Sequence, residues 1–277
     1  MDLNIIWFIL VAVLLTGYAI TDGYDLGVGI ASLFTQKSEN KRILMNAIGP
    51  HWDGNVVWLL TGGGAIFAAF PHVYASVFSG LYLALMLVLL LMILRCVSLE
   101  FRSKVESESW FKTWELLFGI SSLVLALLLG VALGNVAAGL PVDANKAIHI
   151  NLFQLLMPYP ILIGLLTVLL FTLHGTLFAL NKSTGELNTS LKSFFNKVYW
   201  TFFFIYILAT VATFLMNSAM LNNMNAFPVW YIIPLATLAL ILLLPAQVKK
   251  DNFKMGFTYS FIIVALLMVT FAIGIFP

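Results

Sequence analysis

Along the chain, runs of about 20 apolar residues recur between short polar stretches, and none alternates apolar and polar positions with the period of two of a half-exposed strand. A spanning helix needs about 20 mostly apolar residues. Helices and closed barrels are the two ways to satisfy every backbone group in lipid, and runs without alternation select helices. The pattern predicts spans near 4–33, 54–71, 75–98, 114–137, 156–180, 198–219, 229–246 and 256–276. The fold class is therefore all-α: a polytopic membrane helical bundle of about eight transmembrane helices, forming one integral membrane domain over 1–277. The short connections leave no room for a folded extramembrane domain. Sequence identity reveals no internal repeat, and the arrangement is compatible with two four-helix bundles, halves 1–138 and 150–277.

The polar stretches test this count, because loops on the cytoplasmic side collect Lys and Arg. Lys37, Lys41 and Arg42 follow the first span; Arg102, Lys104 and Lys112 the third; Lys182, Lys192 and Lys197 the fifth; Lys249, Lys250 and Lys254 the seventh. The alternate loops hold only Lys146, and Arg95 lies at the end of the third span. The N-terminus is thus expected outside. No Lys or Arg precedes Lys37, so the first run reads as a retained helix rather than a secretion signal.

Composition agrees: 61% of the 277 residues are hydrophobic and 9% charged, with a mean hydropathy of +1.01. Soluble domains carry roughly 25% charged residues. A net charge of +2 gives no indication of nucleic acid as a partner. The single cysteine, Cys96, can form neither an intrachain disulfide nor a thiolate cluster. Trp7, Trp52, Trp110, Trp114, Trp200 and Trp230 fall near span ends, as interfacial anchors do. Gly130 and Gly134 form a GxxxG pair, read as packing within one bundle.

Ionisable groups inside a membrane are costly and mark functional sites by default. The first span carries Asp22 and Asp25, three residues apart and so on one helix face. The second opens with Asp53 after His51 and Trp52, and the third ends with Arg95 and Glu100. With the predicted topology, Asp25, Asp53, Arg95 and Glu100 share the cytoplasmic level. Such a set suits proton or ion entry, because Arg stays charged while burial and neighbours tune each carboxylate. It also suits a structural ion pair pinning three helices, or substrate binding, and all three readings stand at this point. Asp22 is expected to cap or hydrogen-bond locally. Gly23, Gly27, Gly29 and Gly62 to Gly64 follow no strand and so do not form a nucleotide loop; they suit close helix contact or local irregularity beside a cavity. His51, His72 and His149 fall in or beside loops, and His174 alone lies deep in an apolar run, where a packing role is expected rather than haem ligation. No catalytic nucleophile, phosphate loop or metal cluster is visible.

The segments TDGYDLGVG at 21–29, GPHWDGNVVWLLTGGGAIFAAFP at 49–71, RCVSLEFRSK at 95–104, NLFQLLMPYP at 151–160 and HGTLFALNKSTGEL at 174–187 together resemble subunit II of cytochrome bd-type quinol oxidases. Their order and spacing cover the first two thirds of the chain; the last third agrees mainly in hydropathy. The resemblance implies a heterodimer in the bacterial plasma membrane. Subunit I would carry two haems b, haem d and the quinol site, and this chain would bind no haem or metal directly. Small accessory subunits, lipid and a structural quinone are compatible further partners. The complex would oxidise quinol and reduce oxygen to water with cytoplasmic protons, electrogenic but not pumping. The resemblance attaches Asp53 in particular to a proton route toward the haems, and the matching Asp25 and Arg95 to the haem environment; taken with the residue reading, Asp53 and Asp25 are expected in the proton pathway, and Arg95 and Glu100 in ion-pair support or the haem environment. It also implies a ninth helix, which would lie beyond Ile275, Phe276 and Pro277; either that helix is absent or the sequence is a truncated form. A stand-alone proton-coupled transporter or channel is the alternative, as is a scaffold whose acids only brace helices.

Overall fold

The computed structural model describes residues 2–143, 146, 148 and 150–276; His149 and Pro277 lie outside the described residues. Among the described residues there are twelve α-helices: α1 (Leu3–Leu33), α2 (Ser38–Ile48), α3 (Trp52–Ala69), α4 (Pro71–Gly80), α5 (Tyr82–Phe101), α6 (Glu108–Ala138), α7 (Leu152–Leu155), α8 (Pro158–Lys182), α9 (Gly185–Met216), α10 (Asn222–Ala226), α11 (Ile232–Lys249) and α12 (Phe253–Ile275). Among the described residues, seven segments are long and apolar enough to cross a membrane: α1, α5, α6, α8, α9, α12 and Pro228–Lys249, which joins a 3₁₀ turn to α11.

The remaining predicted span corresponds to α3, which polar residues and three consecutive glycines make less apolar. It lies antiparallel to α1. Asn55 near its start reaches Thr21 and Asp25, and a Cβ on Gly62 would meet Leu15 at 3.0 Å. The chain breaks at Phe70 because the following Pro71 disfavours a helical conformation there and is itself well placed to open α4.

The expected span at 75–98 is divided at Leu81 between α4 and α5, where Ile148 packs so closely on Gly80 that a Cβ would come within 2.5 Å of it. Three elements exceed what hydropathy predicts. The loop after α1 contains α2, which buries Leu44, Met45 and Ile48 and leaves Arg42 and Asn46 outward. α6 begins at Glu108 rather than near 114, and α9 at Gly185 rather than near 198. The extra turns of α9 are amphipathic, with Leu187, Leu191 and Phe195 buried at helical spacing beside exposed polar residues.

Ion pairs gather the basic connections at one end. Lys37 pairs with Glu186 at 2.6 Å, Lys192 with Asp251 at 2.6 Å, and Arg102 with Glu115 at 2.6 Å. At the other end, Asn135 donates to the Leu155 carbonyl (2.9 Å), Asn217 to that of Ala137 (2.6 Å) and Asn223 to that of Phe276 (2.7 Å), tying loops to helix ends.

α1 is central, packing on α3, α6, α8 and α12, while α8 also holds α6, α9 and α12. One core mixes Leu26, Phe118 and Leu125 with Leu173, Leu177, Phe195, Phe202 and Ile241, all fully buried. The tightest crossing joins α1 and α8: a Cβ on Gly27 would lie 1.8 Å from the Phe171 carbonyl oxygen, and one on Gly175 would lie 2.4 Å from the backbone of Gly27. Gly130 and Gly134 serve likewise between α6 and α8, against Gly164 and Pro160.

Candidate functional site

Only the half of α1 toward the basic end is enclosed: Tyr18 to Ser32 is mostly buried, whereas most of Leu3 to Thr16 is exposed or half-exposed. Asp22 and Asp25 sit within the enclosed half and are both completely buried. Burying a charge without a partner is strongly unfavourable, and α5 supplies the partner. Arg95 donates through Nη1 to Asp22 Oδ2 at 2.9 Å and through Nη2 to Asp22 Oδ1 at 2.5 Å, the two-pronged geometry that guanidinium and carboxylate share. Its Nη2 stands 3.8 Å from Asp25 Oδ2.

Asp22 is therefore the principal partner of Arg95, which corrects the expectation of a local cap. The spacing of Asp22 and Asp25 already placed both on one face; which of them takes the guanidinium depends on the α1–α5 packing, which sequence does not give.

Asp25 has a different partner. Asn55, in the first turns of α3, donates from Nδ2 to Asp25 Oδ2 and to the Tyr24 hydroxyl oxygen, both at 2.8 Å. Asn55 carries no charge to mark it in the sequence, where it stands two residues after Asp53 in the same motif. It is buried, and it carries the link from α3 to the carboxylates.

Asp53 and Glu100 lie outside this buried cluster. Asp53 is exposed in the first turn of α3, where its carboxylate accepts from the Gly54 N–H at 2.8 Å, and a negative charge there is favoured by the helix dipole. Glu100 is exposed, five residues past Arg95, and makes no hydrogen bond or ion pair within the described residues.

A second charged cluster, not recognised in the sequence, lies nearer the basic end. Arg102 donates to Glu115 Oε1 through Nε (3.0 Å) and Nη2 (2.6 Å), and to Ser38 Oγ at 3.0 Å; the Ser38 hydroxyl donates to the same carboxylate oxygen at 2.5 Å. Lys41 Nζ is 3.7 Å from Glu115 Oε2. Arg102 and Glu115 are buried, and the cluster fastens α2 to α5 and α6. The available signal was Glu115, an acid within an apolar run.

His174 is fully buried between α1, α8 and α12. Its Nε2 lies 3.1 Å from the Ile20 carbonyl oxygen, which can only accept, so Nε2 carries the proton and donates; Nδ1 lies 2.7 Å from Ser260 Oγ. The ring stacks on Phe257 at 4.8 Å and meets Tyr24 edge-on at 6.0 Å. Both nitrogens are thus engaged within the bundle, linking α8 to α1 and α12. His51 and His72 are exposed, and among the described residues no three His, Cys, Asp or Glu side chains are grouped to hold a metal ion.

An apolar groove of about 900 Å³ runs along the exposed half of α1, bounded by α12, Trp58, Phe227 and Trp230.

The family model for cytochrome bd terminal oxidase subunit II matches residues 3–277. The chain is 35% identical to cytochrome bd-I ubiquinol oxidase subunit 2 of Escherichia coli (strain K12) over 306 residues, covering 99% of this chain and 81% of that one. It is 37% identical to cytochrome bd ubiquinol oxidase subunit 2 of Bacillus subtilis (strain 168) over 281 residues, covering 100% and 81%. The fold resembles the solved structure of bd oxidase from Geobacillus thermodenitrificans with a TM-score of 0.81 at 16% identity, covering 100% of this chain and 86% of that one. The chain belongs to the cytochrome bd terminal oxidase subunit II family.

Proposed function

We propose that this chain is the non-haem subunit of a heterodimeric cytochrome bd-type quinol oxidase and that it delivers cytoplasmic protons toward the haems of subunit I through Asp53 and Asp25. In this reading the protein spans a bacterial plasma membrane eight times, α3 being the second crossing, with the basic end in the cytoplasm. The haems of subunit I supply the oxygen chemistry, using electrons from quinol. This chain's residues hold and move protons.

The observation that carries the proposal is the arrangement around Asp25. Asp22 takes up the Arg95 guanidinium, and Asp25 is left with one amide donor and a more distant cation. A buried carboxyl so placed can gain or lose a proton without the ion pair breaking. Asn55 connects it to the start of α3, where Asp53 is exposed and open to a proton source. Arg95 fixes the charge of the cluster. Glu100, exposed at the end of the same helix, suits a supporting role at the entrance. The apolar groove beside α1 suits the tail of a lipid or quinone.

Asp25→Asn and Asp53→Asn in the purified complex test this reading. Each is expected to lower oxygen consumption per haem at least tenfold while haem content and subunit ratio stay unchanged, since about 1.4 kcal/mol on a barrier is tenfold in rate. Unchanged turnover would remove that residue from the route, and loss of assembly alone would leave it a brace.

A further inference from the structure

The Asp22–Arg95 pair is surrounded by polar atoms that it does not satisfy. Tyr18 Oη, Asp25 Oδ1 and Arg95 Nε are buried and make no well-formed hydrogen bond, the Tyr18 hydroxyl standing beside the Asp22 carboxylate. A fourth such atom, Trp114 Nε1, lies apart, on a ring that meets Phe101 and Trp110. Tyr18, Asp22 and Asp25 follow one another at intervals of four and three residues on α1 and so share a face, which Arg95 approaches from α5. The three orphaned atoms therefore belong to one neighbourhood. They are enclosed by this chain itself, so a side chain from a second subunit does not reach them.

Their chemistry is complementary to a single kind of small ligand. The guanidinium Nε–H only donates, the carboxylate oxygen accepts, and the phenolic hydroxyl does either. Direct pairing among them is limited, because both Nη atoms are committed to Asp22 and Arg95 Nη2 is already 3.8 Å from Asp25. Buried polar groups left without a protein partner are met by internal water, which typically makes about three hydrogen bonds. An anion fits less well, since two carboxylates already face the one guanidinium, and a cation fits less well, since Arg95 Nε–H can only donate.

We propose that Tyr18, Asp25 and Arg95 hold an internal water site, and that this water exchanges the proton with Asp25. The first half depends only on the three atoms; the second rests on the reading of Asp25 as a proton carrier. The water accepts from Arg95 Nε–H and donates to Asp25 Oδ1, with the Tyr18 hydroxyl completing its shell. Proton loading breaks the water O–H bond facing Oδ1 and forms Oδ1–H, while the water oxygen takes up the proton that arrives from the cytoplasmic side by way of Asp53 on the proposed route; Arg95 keeps its Nε–H. No electron moves. Oδ2 stays an acceptor for Asn55 throughout.

A map of the assembled complex at a resolution that shows waters tests the first half. Density within hydrogen-bonding distance of Tyr18 Oη, Arg95 Nε and Asp25 Oδ1 is expected; direct contact among these atoms, or an apolar side chain between them, would overturn it. Tyr18→Phe tests the second half, since it keeps the ring and removes one hydrogen-bonding group. The density should weaken, and the hydrogen–deuterium exchange of the Asp25 carboxyl, read from its infrared band against Asp25→Asn, should slow at least tenfold. Density lost with exchange unchanged would overturn the relay while leaving the water site intact. A variant that fails to assemble leaves the wild-type map and the wild-type carboxyl band, whose failure to exchange would also overturn the relay.

Discussion

Arg95 holds Asp22 through two nitrogens at 2.9 and 2.5 Å and keeps Asp25 at 3.8 Å, so two buried carboxylates three residues apart have different partners. Removing one member of a buried ion pair strands its partner's charge and costs about 3–5 kcal/mol. Asp22→Asn should therefore reduce the yield and thermal stability of the complex, whereas Asp25→Asn should leave both near wild type and reduce turnover per haem. Size-exclusion yield, a melting curve and oxygen uptake distinguish the two. A stable Asp22→Asn complex with normal turnover would refute the division of roles.

The cluster at the basic end carries a separate expectation. Glu115→Gln leaves the buried Arg102 guanidinium without its carboxylate and should cost about 3–5 kcal/mol. Because Ser38 belongs to the same network, the loss should fall on α2. Hydrogen exchange over Ser38–Ile48 should rise before that of the core helices; uniform exchange would show that α2 is held by its apolar face alone.

The α1–α8 crossing has no space for a side chain. Gly27→Leu forces the helices apart and should abolish assembly, and Gly175→Ala should lower stability by about 1–3 kcal/mol, the usual cost of overpacking. Gly54, where a Cβ meets nothing within 4 Å, serves as the control within this chain, and Gly54→Ala should be close to neutral in thermal stability.

His174 is predicted to act as a helix clamp. His174→Leu removes a donor to the Ile20 carbonyl and the partner of the Ser260 hydroxyl, costing about 1–3 kcal/mol. His174→Gln, which can both donate and accept, should recover part of that stability. Loss of haem absorbance in proportion to more than the assembled fraction would contradict a clamp.

Much of this architecture is legible in the sequence because the bilayer makes hydropathy decisive. Lys37, Lys192 and Arg102, placed together by the charge pattern, do gather at one end through their pairs with Glu186, Asp251 and Glu115. What hydropathy does not reveal is helix outside the apolar runs: α2 and the first turns of α9 are amphipathic, and their stability comes from packing residues such as Leu44 and Leu191 against the bundle. The acids of the site were visible as isolated charges, and Arg95 as the cation among them. Their pairing was not, because helix periodicity places Asp22 and Asp25 on one face without saying how α5 and α3 approach it. Asn55, Tyr18 and Arg102 are unmarked in the sequence for a related reason: an uncharged polar residue in mid-span or near a span end, or a basic residue in a loop, looks ordinary until the tertiary structure encloses it.

The central claim is most directly tested by affinity purification of this chain in mild detergent, followed by a reduced-minus-oxidised spectrum of the material obtained. The account predicts a co-purifying partner subunit with b- and d-type haem bands and quinol-dependent oxygen uptake. A colourless, partner-free chain that takes up substrate with protons in vesicles would contradict it.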